Sequence, residues 1–281
     1  MTLVDDIRNH YYRHYGCYPD LDNPSTYDEK IAWLKLYNHE PLAIILVDKL
    51  RVKDYLSTKI PNNIVPITTT YPMVIKANNS WNDLQFVYNS EEEKEAELFC
   101  RQKALSRSHG RRTGEWVYRC IKPAVFKEKK LEIEDVEYRF HFSHGNLKWC
   151  ELRQSIYSSD DPDYRDKVIF YFLDNDGNAF NINYPDNPPS SYEISSNPPF
   201  DTDFSIEKFL QCKRLAEQIV IPDFQYVRVD FCYAEGKPWF SEYTFFPGGG
   251  ISVNNYVIFD GVPVGDFIDL DISIKKKQII R

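Results

Sequence analysis

Two alternating runs late in the sequence restrict the possible folds more than any other feature. In Tyr226-Val227-Arg228-Val229-Asp230-Phe231 a period of two puts Arg228 and Asp230 on one face and Val227, Val229 and Phe231 on the other. The return run, Pro238-Trp239-Phe240-Ser241-Glu242-Tyr243-Thr244-Phe245, groups Phe240, Glu242 and Thr244. Joined by Glu235-Gly236-Lys237 as a three-residue turn, the runs form a hairpin with Asp230 opposite Glu242 and Arg228 opposite Thr244. Two carboxylates directly opposed on a ladder repel unless a cation offsets them. Two arrangements meet that need. One is a hard divalent cation such as Mg²⁺, which takes one or two protein carboxylates and completes its shell from phosphates; Arg228 then holds a phosphate oxygen. The other is an exposed sheet face carrying a charge triad.

The rest of the chain mixes helix and strand signals. Ser25 and Thr26 are good N-caps, with Asp28 and Glu29 three residues after each, and Tyr27, Ile31 and Leu34 then share one helical face. Further helices are expected from Pro41 to Leu56, from Glu91 to Leu105 and from Ser205 to Ile219. Strands are expected over Pro72–Lys76, Ala124–Lys127 and Glu137–Leu152, the last bent at His144-Gly145-Asn146. The pattern is α+β in two or three lobes. Five prolines punctuate Asn183–Phe200, a long loop that could close over an acceptor.

Composition narrows the function. The chain has 281 residues and 34 Lys+Arg against 42 Asp+Glu, a net charge of −8 that argues against nucleic acid as a partner. No apolar run reaches the ~20 residues of a membrane helix. The start, Met1-Thr2-Leu3-Val4-Asp5-Asp6, has no secretory pattern, so a cytoplasmic location is expected. Cys17, Cys100, Cys120, Cys150, Cys212 and Cys232 stand singly, as free thiols do. Lys76, closing an apolar strand before a polar loop, suits either a phosphate contact or an ordinary surface position. The basic run Lys127-Glu128-Lys129-Lys130 and the cluster Arg107, Arg111 and Arg112 read as solvated faces. Tyr11, Tyr12, Tyr15, Tyr18, Trp149, Tyr157 and Tyr164 suit a core better than sugar stacking.

Taken in order, Asp48-Lys49, Val74-Ile75-Lys76, Arg228-Val229-Asp230 and Ser241-Glu242-Tyr243-Thr244 before Pro247-Gly248-Gly249 resemble the ATP-grasp superfamily. The run Asp22-Asn23-Pro24-Ser25-Thr26-Tyr27-Asp28-Glu29-Lys30-Ile31-Ala32-Trp33-Leu34-Lys35 resembles more narrowly its TupA-like branch, named for teichuronopeptide biosynthesis. Glu115-Trp116-Val117-Tyr118 and Glu137-Tyr138-Arg139 extend the likeness, which runs from Asp20 to Gly250.

The resemblance implies ATP held between two antiparallel sheets, with Mg²⁺ on its phosphates and a helical N-terminal region. It implies an N-terminal region over 1–70, a small lobe over 71–130 and a large lobe over 131–281. Lys49, Lys76, Ser80 and Glu128 fall at nucleotide-binding positions, Asp230, Glu242 and Thr244 at metal positions, and Arg228 and Arg139 at catalytic ones. The implied reaction joins a carboxylate to an amine through an acyl phosphate, with a uronic acid of a surface or capsular polysaccharide as the carboxylate. Two departures stand out. The family's His-Gly-Ser-Gly flap is replaced by Asn78-Asn79-Ser80-Trp81, without glycine, and a family lysine is Arg139. Two rival readings stay open: an inactive ATP-grasp-like scaffold, and a glycosyltransferase. For the latter, Asp174-Asn175-Asp176 and Asp160-Asp161 are the candidate metal motifs, the first looking like a turn.

Overall fold

The computed structural model describes residues 2–80, 83–106, 108–157, 165–183, 192–195 and 204–274. Trp81, Arg107, Asp160, Asp161, Tyr164 and most of the Asn183–Phe200 segment lie outside the described residues. In chain order the helices are α1 (Leu3–Tyr15), α2 (Tyr27–Tyr37), α3 (Leu42–Val47), α4 (Arg51–Leu56), α5 (Ser90–Ser106), α6 (Ser108–Thr113), α7 (Trp116–Cys120) and α8 (Ile206–Ile219). The strands are β1 (Met73–Ala77), β2 (Leu84–Val87), β3 (Val125–Lys129), β4 (Ile133–Ser143), β5 (Asn146–Tyr157), β6 (Arg165–Leu173), β7 (Ile182–Asn183), β8 (Tyr192–Ile194), β9 (Val227–Ala234), β10 (Lys237–Thr244), β11 (Ile258–Phe259) and β12 (Val262–Pro263). The fold class is α+β. Two compact units emerge, residues 1–18 with 39–132, and residues 19–38 with 133–281.

The first unit is built on an antiparallel sheet in the order β2-β1-β3. Alternation along β1 buries Met73 and Ile75 with Val87, Ala96 and Cys100, so α5 covers that face. Val74 and Lys76 point the other way, where Val74 pairs with Glu128 of β3. The single helix expected from Pro41 to Leu56 is two helices, parted at Asp48. The Asp48 carboxylate accepts the backbone N–H groups of Leu50 (3.0 Å) and Arg51 (3.2 Å). A capping aspartate starts a new helix more readily than it continues an old one.

The second unit holds a six-stranded sheet in the order β10-β9-β4-β5-β6-β8. Its neighbours pair antiparallel except β6 and β8, which run parallel. One face carries Tyr138, Phe140, Val229 and Phe231, all buried; α8 packs there through Phe209, whose ring lies 5.7 Å from that of Phe140. The alternate residues of the same strands, on the opposite face, are mostly charged. Two-residue turns with positive φ at both positions close the hairpins, at His144-Gly145 and Glu235-Gly236.

Helix α2 belongs to this unit. Thr26 and Glu29 form the capping box that the spacing predicts. Asp28 is used differently: its carboxylate accepts the Ser252 N–H at 3.1 Å, tying α2 to the loop after β10. The buried Lys35 ammonium donates to the Gly249 carbonyl of that loop.

Candidate functional site

The β9–β10 hairpin places Asp230 opposite Glu242 and Arg228 opposite Thr244. The pairing is the expected one, reached by a different route. The turn has two residues, and a bulge at Ser241 restores the register. That bulge also corrects one expectation: Phe240 pairs with Phe231 and packs against its ring at 6.0 Å, on the face opposite Glu242.

Around this pair the polar face spans four strands. Arg139 of β4 lies between Asp230 of β9 and Glu151 of β5, and Glu137 pairs with Arg153. Arg228 grips Asp230 with two bonds, Nε to Oδ1 at 2.7 Å and Nη2 to Oδ2 at 2.6 Å. Arg139 donates to Glu151 Oε1 through Nη1 at 2.7 Å, and to Glu137 Oε2 through Nε at 2.9 Å and Nη2 at 2.7 Å. Asp230 and Glu151 are buried, whereas the Glu242 side chain keeps 26% exposure. Its Oε1 accepts from Thr244 Oγ1 at 3.0 Å, and the same hydroxyl accepts from Arg228 Nη2 at 3.3 Å.

Burial dominates the electrostatics. It pushes the Asp230 carboxyl up to about 7, against the pull of Arg228, with Glu137 adding to the rise. Glu137 goes the other way. Loss of solvation raises it, but Arg139, Arg153 and Arg228 outweigh that and hold it below the ordinary glutamate value. Arg139 keeps its charge because Glu137, Glu151 and Asp230 overcome the cost of burial.

A metal has suitable donors here. Asp230 and Glu242, paired in register, and Thr244, two residues along β10, offer hard oxygens of the kind Mg²⁺ takes when its other ligands come from phosphate and water. Among the described residues no group of three or more His, Cys, Asp or Glu is placed to hold an ion by itself.

The first unit carries a separate cluster. Glu128 is buried with Lys76 on Oε1 and Lys53 at 2.9 Å on Oε2. Lys53 also donates to the Val65 carbonyl at 2.7 Å. Burial raises the Glu128 carboxyl, but Lys76 and Lys53 outweigh it and hold it below its usual value. Burial lowers the Lys53 ammonium, and repulsion from Lys76 and Lys49 adds to that. Two lysines thus bind one carboxylate, with Lys49 near enough to Lys53 to repel it. The sequence assigned no site role to Lys53, which lies in α4, while Lys49 lies in the turn before it.

The segment Asn78–Ser80 is pinned. Asn78 receives the Ala124 N–H on Oδ1 at 2.8 Å and donates through Nδ2 to Asp48 at 3.0 Å and to the Lys122 carbonyl at 3.1 Å. Asn79 donates to the Ala104 carbonyl at 3.0 Å. Ser80 is buried with its hydroxyl unpartnered. None of the three has positive φ. In the second unit, Asp174-Asn175-Asp176 forms the expected turn, its Asp174 carboxylate accepting the N–H groups of Asp176 and Asn178 at 2.8 and 2.9 Å.

No protein-family model matches the chain, and no curated protein does. In three dimensions it is similar to D-alanine–D-alanine ligase from Helicobacter pylori, at a TM-score of 0.46 and 14% identity over 87% of this chain and 67% of that one. It is likewise similar to D-alanine–D-alanine ligase from Bacillus anthracis complexed with ATP, at a TM-score of 0.43 and 13% identity over 84% of this chain and 69% of that one. For L-amino acid ligase from Bacillus licheniformis the TM-score is 0.44 and the identity 13%, over 88% of this chain and 55% of that one. The chain therefore spans between 55% and 69% of the length of these ligases. TM-scores below 0.5 leave the site's chemistry to be read from its own residues. No described helix is long and apolar enough to cross a membrane.

Proposed function

We propose that the chain is an ATP-dependent carboxylate–amine ligase of the ATP-grasp type, in its TupA-like branch. The observation that carries this reading is the hairpin register, which opposes Asp230 and Glu242 beside an arginine-rich face. Lys49 and Lys76, with their neighbour Lys53, contact ATP phosphates. Ser80 and Glu128 line the nucleotide, Glu128 mainly by holding the lysines in place. Asp230, Glu242 and Thr244 hold Mg²⁺, which when bound neutralises phosphate charge. Arg228 and Arg139 stabilise the transferring phosphoryl group.

The substrate carboxylate oxygen attacks the γ-phosphorus of ATP, and ADP leaves with the bridging oxygen. The amine nitrogen then attacks the acyl carbon, phosphate departs, and the nitrogen loses its proton. Such a sequence asks side chains for positioning and charge neutralisation, which lysines, arginines and carboxylates supply. The likeness of Asp22–Lys35 to the TupA-like branch supports a uronic acid of a cell-surface polysaccharide as the carboxylate and an amino acid or other amine as its partner, joined in the cytoplasm.

A second reading, a nucleotide-binding scaffold without turnover, is favoured by the burial of Asn78, Asn79 and Ser80, where a mobile cover is expected. Incubation with ATP, Mg²⁺ and candidate uronates and amines, followed by mass spectrometry, separates the readings. An amide with stoichiometric ADP supports the ligase. ATP binding with no ADP from any pair supports the scaffold, and binding of a UDP-sugar in place of ATP supports a glycosyltransferase.

A further inference from the structure

On the same face as the arginines, further along the sheet, runs a buried chain of hydrogen-bonding groups to which the proposed reaction assigns no role. Tyr27 Oη lies 2.7 Å from Tyr226 Oη, and Tyr226 Oη lies 2.8 Å from His141 Nδ1. The His141 ring is stacked on Trp149, with centroids 4.2 Å apart and planes 19° apart, which fixes its orientation. Its other nitrogen, Nε2, has no hydrogen-bond partner within normal reach and stands 3.8 Å from Glu151 Oε2. Tyr27, His141, Tyr226 and Glu151 are all essentially inaccessible to solvent.

The end of this chain sets its direction. An ionised carboxylate can only accept. If Nδ1 carried the imidazole proton, the Nε2 lone pair would face Glu151, and the Tyr27 hydroxyl would have to accept from Tyr226. In the opposite sense Tyr27 donates to Tyr226, Tyr226 donates to Nδ1, and the Nε2–H dipole lies 3.8 Å from the Glu151 carboxylate, an electrostatic contact longer than a hydrogen bond. Burial, with Arg228 and Arg139 nearby, pushes the imidazole pKa well down, so the ring is neutral and has a single proton to place. Glu151 passes the order on. Its Oε2 also accepts from Asn254 Nδ2 at 3.1 Å, and its Oε1 holds Arg139 at 2.7 Å.

We propose that His141 is a positioning residue, held as the Nε2–H tautomer by Tyr226 and Tyr27, which fixes Glu151 and through it the guanidinium of Arg139 beside Asp230. Helix α2, singled out in the sequence by its capping pattern, thereby contributes Tyr27 to the order of the site. The catalytic consequence rests on the ligase reading; the tautomer and its hold on Arg139 do not.

Nitrogen-15 NMR of the full-length protein tests the structural part directly. In the wild type, His141 should show a protonated Nε2 and an unprotonated Nδ1, and the Arg139 Nη1–H signals, from the nitrogen bound to Glu151, should be protected from exchange. Tyr226→Phe, which removes only a hydroxyl, should shift His141 toward a mixture of tautomers. His141→Phe should expose Arg139 Nη1–H to exchange, while His141→Gln, which keeps an amide donor near Nε2, should preserve its protection. Under the ligase reading, His141→Phe should lower kcat on the order of 10–100-fold with KM for ATP little changed, and His141→Gln should recover most of it. An Nδ1–H tautomer in the wild type, or an Arg139 signal indifferent to His141→Phe, overturns the proposal. Absence of any ATP turnover in the wild type overturns the ligase reading alone, with the NMR result standing by itself.

Discussion

Asp230 and Glu242 stand opposite one another across the β9–β10 ladder because a bulge at Ser241 offsets a turn one residue shorter than the alternation suggests. The bulge turns Phe240 inward and Glu242 outward on nearly adjacent positions, so one strand serves both the core and the charged face. Bulges recur where a side chain must be re-aimed beside a functional site. The like-charge cost of the pair is met by Arg228, which binds Asp230 through two nitrogens.

That dependence makes Arg228 a stability residue as well as a site residue. Arg228→Ala leaves a buried carboxylate without its partner and should cost about 3–5 kcal/mol in urea unfolding. The double variant Arg228→Ala with Asp230→Ala should lose less than the two single losses added together. Strictly additive losses would show that the pair is not coupled.

Glu128 gives a pH signature. Its carboxyl is held below the ordinary value by Lys76 and Lys53, against the effect of burial. Folding therefore favours the deprotonated form, and the stabilisation is complete above the unfolded-state pKa. It is lost as pH falls through the lower, folded-state value. Glu128→Gln should flatten the acid side of the stability profile. At neutral pH it should cost about 1–3 kcal/mol, discounted because the Lys76 side chain is 27% exposed. An unchanged acid limb in chemical denaturation at stepped pH would contradict this.

The loop after β10 should be intolerant of a single methyl group. Gly250 has φ 80°, and a Cβ there meets Lys35 Nζ at 2.8 Å. Gly250→Ala should destabilise by more than the ~1 kcal/mol that such a substitution can gain elsewhere. Lys35→Met, which leaves the Gly249 carbonyl without this donor, should cost about 1–3 kcal/mol. Thermal unfolding of both variants checks the pair, and wild-type midpoints would show that the loop is not held through Lys35.

Much of the second unit was legible because its signals are local. Alternation in Tyr226–Phe231 gave the charged face, and Thr26 with Glu29 gave the start of α2. The extension of the site to Glu137, Glu151 and Arg153 was not legible, since it depends on β4 lying between β5 and β9, a long-range pairing that no local pattern encodes. The break at Asp48 was hidden for a related reason: the same aspartate suits a helix interior or a cap until Asn78 is seen to bind it. Glu128 reads locally as part of a solvated basic run, yet it is buried. Its engagement with Lys53 arises from a helix more than seventy residues earlier.

The account is tested most directly by calorimetric titration of ATP into the wild type and into Asp230→Asn and Glu242→Gln, with Mg²⁺ and with EDTA. Wild-type binding should be at least several-fold tighter with Mg²⁺, and each variant should lose that gain while still binding ATP in EDTA. Equal Mg²⁺ dependence in all three proteins, or no ATP binding by the wild type, would contradict it.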